Sequence, residues 1–563
     1  MPGEEFKEGY LTAVWNSERD LFPDSVSDPQ RLHILGLTQD RVQDFPQDSM
    51  PLSEIWGGPR EQVTGRTEEV LEGRLVEVLR CANESLARIE GYRSYWGDND
   101  DSFVSLADKV IAETAILALV AGRHASERPR VRFLIDELSR SLSPLVRSIR
   151  NEALIRRYPN GALTLAVGHA VVNALGLPDP KFDHLVKSTL ACNILDCSER
   201  LNFRAMERRW MTGVLHPEAE LSFDDLMPMS IATRQAHPIH MLATDVYALT
   251  HVPMFVTDFG SNPAPADFPH ATYGNSLDAA AAWVLQTENF DLMGELVLAR
   301  ELLGAPWTAS HVLAWKILEH AWDHLGFLTS PSFSIKQLDD LPTIEKASYA
   351  FLHTYHTTYV AGMLSAIMLG RASFPPQQIM GTCAIGREEA VALHQECQGA
   401  FTAALEFVVG THVPAEDLQH LAATARQDAG ESPLQAAQRL MSLRSERGRE
   451  PVGIVADIFN DTGLPCAVVA SSLIDGLLTC AARSYDLMML AELLRTVAVG
   501  ELPLTPTVAT AARFLTRQQL PSGAIGGWFL DPSKGGASVS ATNVTTVLAA
   551  ALGALSMHPD LQH

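Results

Sequence analysis

The stretch that decides the fold is Ala350-Phe-Leu-His353-Thr354-Tyr355-His356-Thr357-Thr358-Tyr359-Val-Ala-Gly-Met-Leu-Ser-Ala-Ile-Met-Leu369. Its apolar residues predict a buried helix, although it also carries two histidines, three threonines and two tyrosines. Polar side chains in apolar surroundings need hydrogen-bond partners or a wet cavity. We therefore expect this helix to form one wall of the functional site.

Similar helical periodicity continues on both sides of that stretch. Apolar residues recur at helical spacing, and breakers such as Leu-Pro-Asp-Pro at 177–180 separate the periodic segments at intervals of roughly 20 to 40 residues. No convincing alternating pattern indicates a strand. The sequence therefore predicts an all-α protein, with clear helices at residues 106–121, 130–142, 163–174, 183–195, 292–303, 310–324, 346–369 and 388–408.

The chain divides into three parts by composition. Residues 1–65 are rich in Pro, Asp and Gln and show little periodicity, which indicates an extended N-terminal arm. A chain of 563 residues exceeds what one compact core usually supports. Because the Pro-containing segment 373–378 is a plausible boundary, we predict a helical domain at 66–375 and a second one at 376–563.

The net charge, the cysteine content and the distribution of apolar residues argue against several classes of protein. The formal net charge is −24 and no run of Lys or Arg stands out, so nucleic acid is an unexpected partner. The seven cysteines are scattered without a Cys-x-x-Cys pair, which favours a reducing cytoplasm over a disulfide framework. The polar, acidic N-terminus and the absence of a run of 18 apolar residues predict neither a signal peptide nor a membrane span.

Histidines concentrate in three stretches, at 237–251, 311–324 and 353–356, and suggest a metal site. His320 and His324 are four residues apart and share a helix face, as do Glu319 and Asp323. Imidazoles with a carboxylate suit a divalent metal such as zinc or iron. The metal-ligand candidates are therefore His320, His324, His353 and His356. Metal-free acid/base use of these histidines and a purely structural role remain alternatives.

The C-terminal segment Phe514-Leu-Thr-Arg-Gln-Gln519-Leu-Pro-Ser-Gly523-Ala-Ile-Gly526-Gly527-Trp528 resembles the repeat of terpenoid cyclases and protein prenyltransferase β subunits. The turn glycines have a physical reason, because a reversal between packed helices needs positive φ and close backbone approach. This resemblance implies an α/α toroid, in which inner and outer rings of helices surround a central cavity. It implies two toroid-like parts in this chain. Residues 70–375 also look like an uncharacterised bacterial toroid domain.

Two further stretches extend the resemblance to residues that take part in catalysis in those families. Tyr355-His356-Thr357-Thr358-Tyr359 resembles the Tyr-His-Thr-x-Tyr segment of prenyltransferase β subunits, where the His binds zinc and a Tyr lies in the active site. Where that family has Asp-x-Cys upstream, this chain has Asp291-Leu-Met-Gly. Asp98-Asn99-Asp100-Asp101 matches the Asp-x-Asp-Asp of class II terpene cyclases, which implies that Asp100 is a proton donor. The alternative for that acidic loop is a cap on the helix that starts near Ser102.

The expected function follows from a polar site inside an apolar cavity. The resemblance implies an enzyme of natural-product biosynthesis that cyclises or rearranges a hydrophobic small molecule. The catalytic candidates are Tyr355, His356, Tyr359, Asp323 and Asp100. A metal-dependent hydrolase or oxygenase that uses the same histidines is one alternative, and a non-enzymatic scaffold that binds a peptide or protein is another.

Overall fold

The structure is a computed structural model, and it describes residues 67–96, 104–191, 201–217, 221–234, 236–287, 289–325, 327–371, 379–380, 383–410, 431–444, 464–525 and 537–562. Within these ranges the chain is almost entirely helical, so the prediction of an all-α protein is confirmed. The strands in the described part are two residues long. They are β1, Trp307–Thr308, and β2, Ile379–Met380, which pair in parallel.

Fourteen helices form the first part of the described chain. They are α1 Thr67–Tyr95, α2 Leu106–His124, α3 Pro129–Val146, α4 Ile149–Arg157, α5 Ala162–Ala174, α6 Pro180–Leu190, α7 Asn202–Leu215, α8 Ala243–Val256, α9 His270–Val284, α10 Phe290–Leu302, α11 Ala309–Leu325, α12 Ile335–Asp340, α13 Thr343–Leu352 and α14 Tyr355–Gly370. Local signals start many of them. Ser105 and Asp108 form a reciprocal capping box at α2, and Pro180 follows the capping Asp179 at α6.

Seven more helices follow β2 in the described residues. They are α15 Arg387–Gly410, α16 Pro433–Arg444, α17 Cys466–Arg483, α18 Leu487–Val499, α19 Pro506–Thr516, α20 Ala537–Ser556 and α21 Pro559–Gln562. Among the described helices, α17 is the one long and apolar enough to cross a membrane by length and composition. Most of it is buried against other helices, as expected for a core helix.

Six helices of the first part pack in a closed circuit. In order around it, α2, α5, α7, α8, α10 and α14 each pack on the next, and α14 packs on α2. Helices α1, α3, α9 and α11 pack against members of this circuit from other sides. All 13 residues of α10 are buried, including its four charged residues Asp291, Glu295, Arg300 and Glu301.

Contacts between α2, α7, α8 and α14 show that these four circuit helices share a direction. The ring of Phe203 in α7 contacts His251 in α8, and Trp210 one to two turns later donates a hydrogen bond to Asp258 just after α8. His124, at the end of α2, lies 2.7 Å from the carbonyl oxygen of Phe259. Gly370 ends α14 against the backbone of His124. The C-terminal ends of α2, α8 and α14 therefore lie together at one end of the circuit.

The decisive stretch of sequence forms two helices, so the prediction of a single helix over 346–369 is wrong. Helix α13 ends at Leu352, and α14 begins at Tyr355. Thr354 departs from helical geometry at φ −131°, and its hydroxyl donates to the carbonyl of Ala350 at 2.7 Å. The carbonyl of His353 accepts instead from the amide of Ser330. Hydroxyl side chains compete with the helical ladder in this way.

The Gly-containing turn near the C-terminus has the geometry that its sequence predicts. Gly523 has φ +89°, and a Cβ at this position would lie 2.2 Å from the carbonyl oxygen of Ala403 in α15. The side chain of Gln519 donates to the carbonyl oxygens of Ala400 and Gly523 at 2.8 and 3.0 Å. The turn is thereby fixed to α15. Gly526, Gly527 and Trp528 lie outside the described residues.

The two parts of the chain share one hydrophobic core. Helix α17 packs against α9 and α11, and Gly476 approaches so closely that an added Cβ would lie 2.1 Å from the carbonyl oxygen of Ala282. The guanidinium of Arg483 lies 4.9 Å from the ring centroid of Trp283. The division at 375/376 and the N-terminal arm remain predictions, and residues 1–66 lie outside the described ranges.

Candidate functional site

Four ionisable side chains from three helices of the circuit meet at one point. His356 is the second residue of α14, Asp291 and Glu295 lie one turn apart near the start of α10, and Glu113 comes from α2. The i, i+4 spacing places both α10 carboxylates on one helix face. All four lie in the first halves of their helices, away from the C-terminal ends at which α2, α8 and α14 meet.

The geometry around His356 distinguishes its two ring nitrogens. Nδ1 lies 3.0 Å from Oε2 of Glu113, which is a hydrogen bond. Nε2 lies 3.5 Å from both Oδ1 of Asp291 and Oε1 of Glu295, which is longer than a good hydrogen bond. Glu113 thus favours a proton on Nδ1 and leaves Nε2 directed at two carboxylates.

Further side chains hold each carboxylate of the cluster. The hydroxyl of Thr357 donates to Oδ1 of Asp291 at 3.2 Å, and that of Thr250 in α8 donates to Oε2 of Glu295 at 2.6 Å. Tyr355 hydrogen-bonds Glu113, and Lys109 lies 3.7 Å from it. His251 lies 3.7 Å from Glu295. Such supporting contacts fix the orientation of the four central groups.

Burial is graded across the cluster. The side chain of Glu295 is 1% exposed, whereas that of His356 is 31% exposed. Glu113 and Lys109 are also partly accessible, so the cluster reaches solvent on the side of α2 and α14. Rings of Phe203, Tyr247 and Phe255 surround His251 on the α8 side. The cluster therefore has a buried acidic floor at Glu295 and one accessible side at His356, and aromatic rings surround the neighbouring His251.

Opposed charges shift the titration of the cluster. Burial acts to raise the pKa of Glu113, but the His356 imidazolium and Lys109 outweigh this effect and lower that pKa to about 2. Burial would also lower the pKa of His356, whereas Glu113 and Asp291 outweigh it and raise that pKa well above its ordinary value. For Asp291, burial and the neighbouring Glu295 raise the pKa despite the attraction of His356.

The spacing of Asp291, Glu295 and His356 can be compared with the spacing of the ligands around a metal ion. One ligand atom from each lies within 4.8 Å of the others, and no other group of three His, Cys, Asp or Glu residues in the described ranges meets this condition. Zinc–nitrogen and zinc–oxygen bonds of about 2.0–2.2 Å at 90–110° place donor atoms roughly 3.0–3.5 Å apart. The 3.5 Å separations of Nε2 from the two carboxylates fit this requirement.

The predicted residues on the helix 310–324 lie elsewhere. Glu319 and Asp323 do share a face of α11, but both pair with Arg74 of α1, at 3.3 and 3.0 Å. This ion pairing joins α11 to α1 and places Asp323 outside the cluster. His320 is not in the cluster either, and the side chain of His324 lies outside the described residues.

The other predicted site residues have separate surroundings. Because the helix breaks at Thr354, His353 lies at the end of α13, where its ring contacts that of Tyr349 in a tilted arrangement and lies 2.8 Å from the hydroxyl of Ser332. Tyr359 is 1% exposed and hydrogen-bonds Thr114, at 3.1 Å. Asp100 lies outside the described residues. Of the residues named from sequence, His356 and the supporting Tyr355 belong to the cluster.

Three of the four central residues, Asp291, Glu295 and Glu113, were not among the site residues predicted from the sequence. Glu295 follows Asp291 by one helical turn in an otherwise apolar segment. This spacing indicates two carboxylates that point into the protein. In the sequence, Asp291 is identified only as the residue at the place where prenyltransferase β subunits have Asp-x-Cys. Glu113 gives a weaker signal, because it lies 243 residues from His356 and only the fold unites them.

Comparison with known proteins places this site within a family. A family model described as "Domain of unknown function (DUF6895)" matches residues 77–366, just over half of the chain. The chain belongs to the DUF6895 family. All four central residues of the cluster lie inside the matched region. No curated protein and no solved structure gives a significant match.

Proposed function

We propose that this DUF6895 protein is a metal-dependent enzyme whose ion is held by Asp291, Glu295 and His356. One observation carries the proposal: Glu113 holds Nδ1 of His356, so that Nε2 faces the carboxylates of Asp291 and Glu295 at 3.5 Å each. A carboxylate on the far nitrogen of a ligating histidine is a common feature of metal sites. It fixes the tautomer and makes Nε2 a better ligand.

The proposed site sits inside a proposed α/α toroid. The closed packing circuit of α2, α5, α7, α8, α10 and α14, with shared direction at the contacts described, supports an inner ring of helices. Helices such as α1, α3, α9 and α11 would belong to the outer ring. Side chains from α2, α8, α10 and α14 then converge on the central axis.

The residues of the proposed site have different roles. Asp291 and Glu295 supply oxygen ligands and His356 a nitrogen ligand, while Thr357 and Thr250 keep the carboxylates oriented. Carboxylates with one imidazole suit zinc, iron or manganese. Such an ion would supply Lewis-acid or redox chemistry, in keeping with a hydrolase or an oxygenase. The accessible side at His356 leaves room for a substrate.

A metal-free cyclase is the second candidate. Its support is the raised pKa of Asp291, which lies beside His356 and bonds Thr357. A buried carboxyl group with a raised pKa is suited to act as the general acid that starts the cyclisation of a hydrophobic small molecule. The resemblance to terpenoid cyclases favours such a natural-product reaction. In this alternative Asp291 takes the place that the sequence assigned to Asp100.

Titration with cobalt(II) separates the two candidates. The metal site predicts equimolar cobalt binding with the visible absorption of a low-coordinate centre, and loss of both in His356→Gln. His320→Gln is the control, because this partly buried histidine lies on α11 outside the cluster. A wild-type protein that is folded and binds no cobalt would contradict the metal site and favour the metal-free cyclase.

A further inference from the structure

The hydroxyl group of Thr250 lies between Glu295 and the backbone of its own helix, α8. It is fully buried and has one proton, but two acceptors lie within reach of it. They are Oε2 of Glu295 at 2.6 Å and the carbonyl oxygen of Tyr247 at 3.0 Å. The same hydroxyl oxygen lies 3.0 Å from Nδ1 of His251. The direction of this proton decides whether Thr250 holds Glu295 or only bonds its own helix.

The surroundings of His251 determine which of its ring nitrogens carries the proton. Nδ1 lies 2.8 Å from the carbonyl oxygen of Tyr247 and 3.7 Å from Oε2 of Glu295. Both oxygens repel a nitrogen lone pair and attract an N–H group, so the proton of the neutral imidazole belongs on Nδ1. In this tautomer His251 donates to the carbonyl of Tyr247 and to the hydroxyl oxygen of Thr250.

The carbonyl of Tyr247 then needs no further donor. A carbonyl oxygen accepts hydrogen bonds at two lone pairs. Nδ1–H of His251 occupies one of them, and the helical pattern of α8 directs the backbone amide of residue 251 at the other. The proton of Thr250 is therefore left for Glu295, which agrees with the shorter of its two distances, 2.6 Å against 3.0 Å.

The two carboxylate oxygens of Glu295 have different partners as a result. Oε2 accepts from Thr250, whereas Oε1 lies 3.5 Å from Nε2 of His356. The side chain of Glu295 is 1% exposed, so these hydrogen bonds act in surroundings of low dielectric constant. A fixed Oε2 thereby keeps Oε1 directed towards His356.

We propose that His251 is a positioning residue of the site, which acts on Glu295 through Thr250. Its Nδ1–H occupies the Tyr247 carbonyl and so directs the Thr250 hydroxyl to Oε2, which leaves Oε1 for a ligand beside His356. The benefit to a bound ion rests on the proposed metal site. The chain of hydrogen bonds from His251 to Glu295 does not depend on it.

Cobalt(II) titration of a double-mutant cycle tests the effect of His251 on the site. His251→Phe should weaken cobalt binding by about tenfold, because it removes a hydrogen bond that supports a ligand. His251→Asn should restore most of the affinity, because its amide N–H can replace Nδ1–H. Thr250→Val should weaken binding by a similar factor. In that background His251→Phe should have no further effect, since the hydroxyl through which it acts is gone.

Thr479→Val is the matched control. Thr479 is as fully buried as Thr250, and its hydroxyl donates to the carbonyl of Asp475 in α17, outside the cluster. This substitution should leave cobalt affinity unchanged. If His251→Phe weakens cobalt binding equally in wild type and in Thr250→Val, or if His251→Asn binds as weakly as His251→Phe, the proposal is overturned.

Urea unfolding of the four proteins of the cycle without metal separates this proposal from the proposed metal site. We expect His251→Phe to lower the urea midpoint less in the Thr250→Val background than in wild type, because the two side chains form one chain of hydrogen bonds. Equal shifts in the two backgrounds would contradict that chain even where cobalt binds. If none of the folded proteins binds cobalt, the metal site fails, and the unfolding comparison alone decides the role of His251.

Discussion

At the scale of single residues, the two nitrogens of His356 have different tasks. Glu113 binds Nδ1, and the carboxylates of Asp291 and Glu295 face Nε2. In this arrangement Glu113 is a positioning residue, because it acts on the ion through the imidazole. The buried Tyr355, which is 3% exposed, hydrogen-bonds Glu113 and helps to fix its orientation.

Replacing Glu113 with Gln should weaken zinc binding by roughly ten- to a hundredfold. The amide oxygen can still accept from Nδ1, but it lacks the charge that makes Nε2 a strong ligand. Competition with a chromogenic chelator measures the affinity. Glu319→Gln is the matched control, since the Glu319 side chain is 22% exposed against 21% for Glu113 and pairs with Arg74 away from the cluster. Equal effects of the two substitutions would contradict the positioning role.

Asp475, in α17, should make stability depend on pH. Burial and the charge of Asp278 raise its pKa to about 8, despite a 2.7 Å hydrogen bond from Thr505. Between pH 4 and 8 the folded protein therefore retains a proton that the unfolded chain has lost, so this residue lowers stability as pH rises. The slope is up to about 1.4 kcal/mol per pH unit.

Asp475→Asn should remove that part of the pH dependence. The variant keeps an oxygen that accepts from Thr505 and cannot ionise, so its gain over the wild type should grow from pH 4 to pH 8. Urea unfolding at several pH values measures this gain. Asp339→Asn, at an exposed position of α12, should show no such trend. A constant difference between Asp475→Asn and wild type at all pH values would contradict a protonated Asp475.

At the scale of helices, close packing limits the size of residues on α14. A Cβ added at Gly362 would lie 2.8 Å from Cγ1 of Val78 in α1 and 3.2 Å from Cδ1 of Leu117 in α2. Gly399 in α15 has no atom within 4 Å of such a Cβ and is exposed. Substitutions at these two glycines therefore distinguish the effect of side-chain packing on stability from the effect of backbone entropy.

Gly362→Ala should destabilise the protein by about 1–3 kcal/mol, because Val78 is branched at Cβ and has little freedom to move. Gly399→Ala should instead stabilise it by about 0.5–1 kcal/mol, because alanine loses less entropy in a helix. Urea unfolding of both variants measures the two free energies. A stabilised Gly362→Ala would show that α14 packs less closely against α1 and α2.

The helices could be predicted from sequence because their signals are local, whereas the site could not. Segments such as 106–121 and 292–303 agree with α2 and α10 to within a few residues. The break at Thr354 was missed because it depends on Ser330, whose amide binds the His353 carbonyl. His356 was found through its polar neighbours. Glu113 was missed because no sequence period relates two helices 243 residues apart.

At the scale of the whole molecule, the cluster connects helices far apart in the chain. The proposed ligands come from α10 and α14, and supporting groups come from α2 and α8, so a bound ion would link two helices directly and two more through their hydrogen bonds to the ligands. An ion that binds the folded state alone stabilises it by about 2.7 kcal/mol at a concentration one hundred times its Kd.

Zinc should therefore raise the temperature of thermal unfolding, and a chelator should lower it again. Glu295→Gln should abolish the shift, because it removes the charge of a ligand whose side chain is 1% exposed. Differential scanning calorimetry at fixed protein concentration measures both. Glu319→Gln should retain the full shift. A shift that persists in Glu295→Gln would indicate that zinc binds elsewhere.

Elemental analysis is the most direct test of the metal site. The protein should be purified without chelators or a His-tag, and wild type compared with His356→Ala and His320→Ala. We expect about one equivalent of a divalent transition metal in wild type and in His320→Ala, and a large loss in folded His356→Ala. Folded wild-type protein that contains no metal and takes up none on addition, or His356→Ala that keeps its full equivalent, would contradict the account.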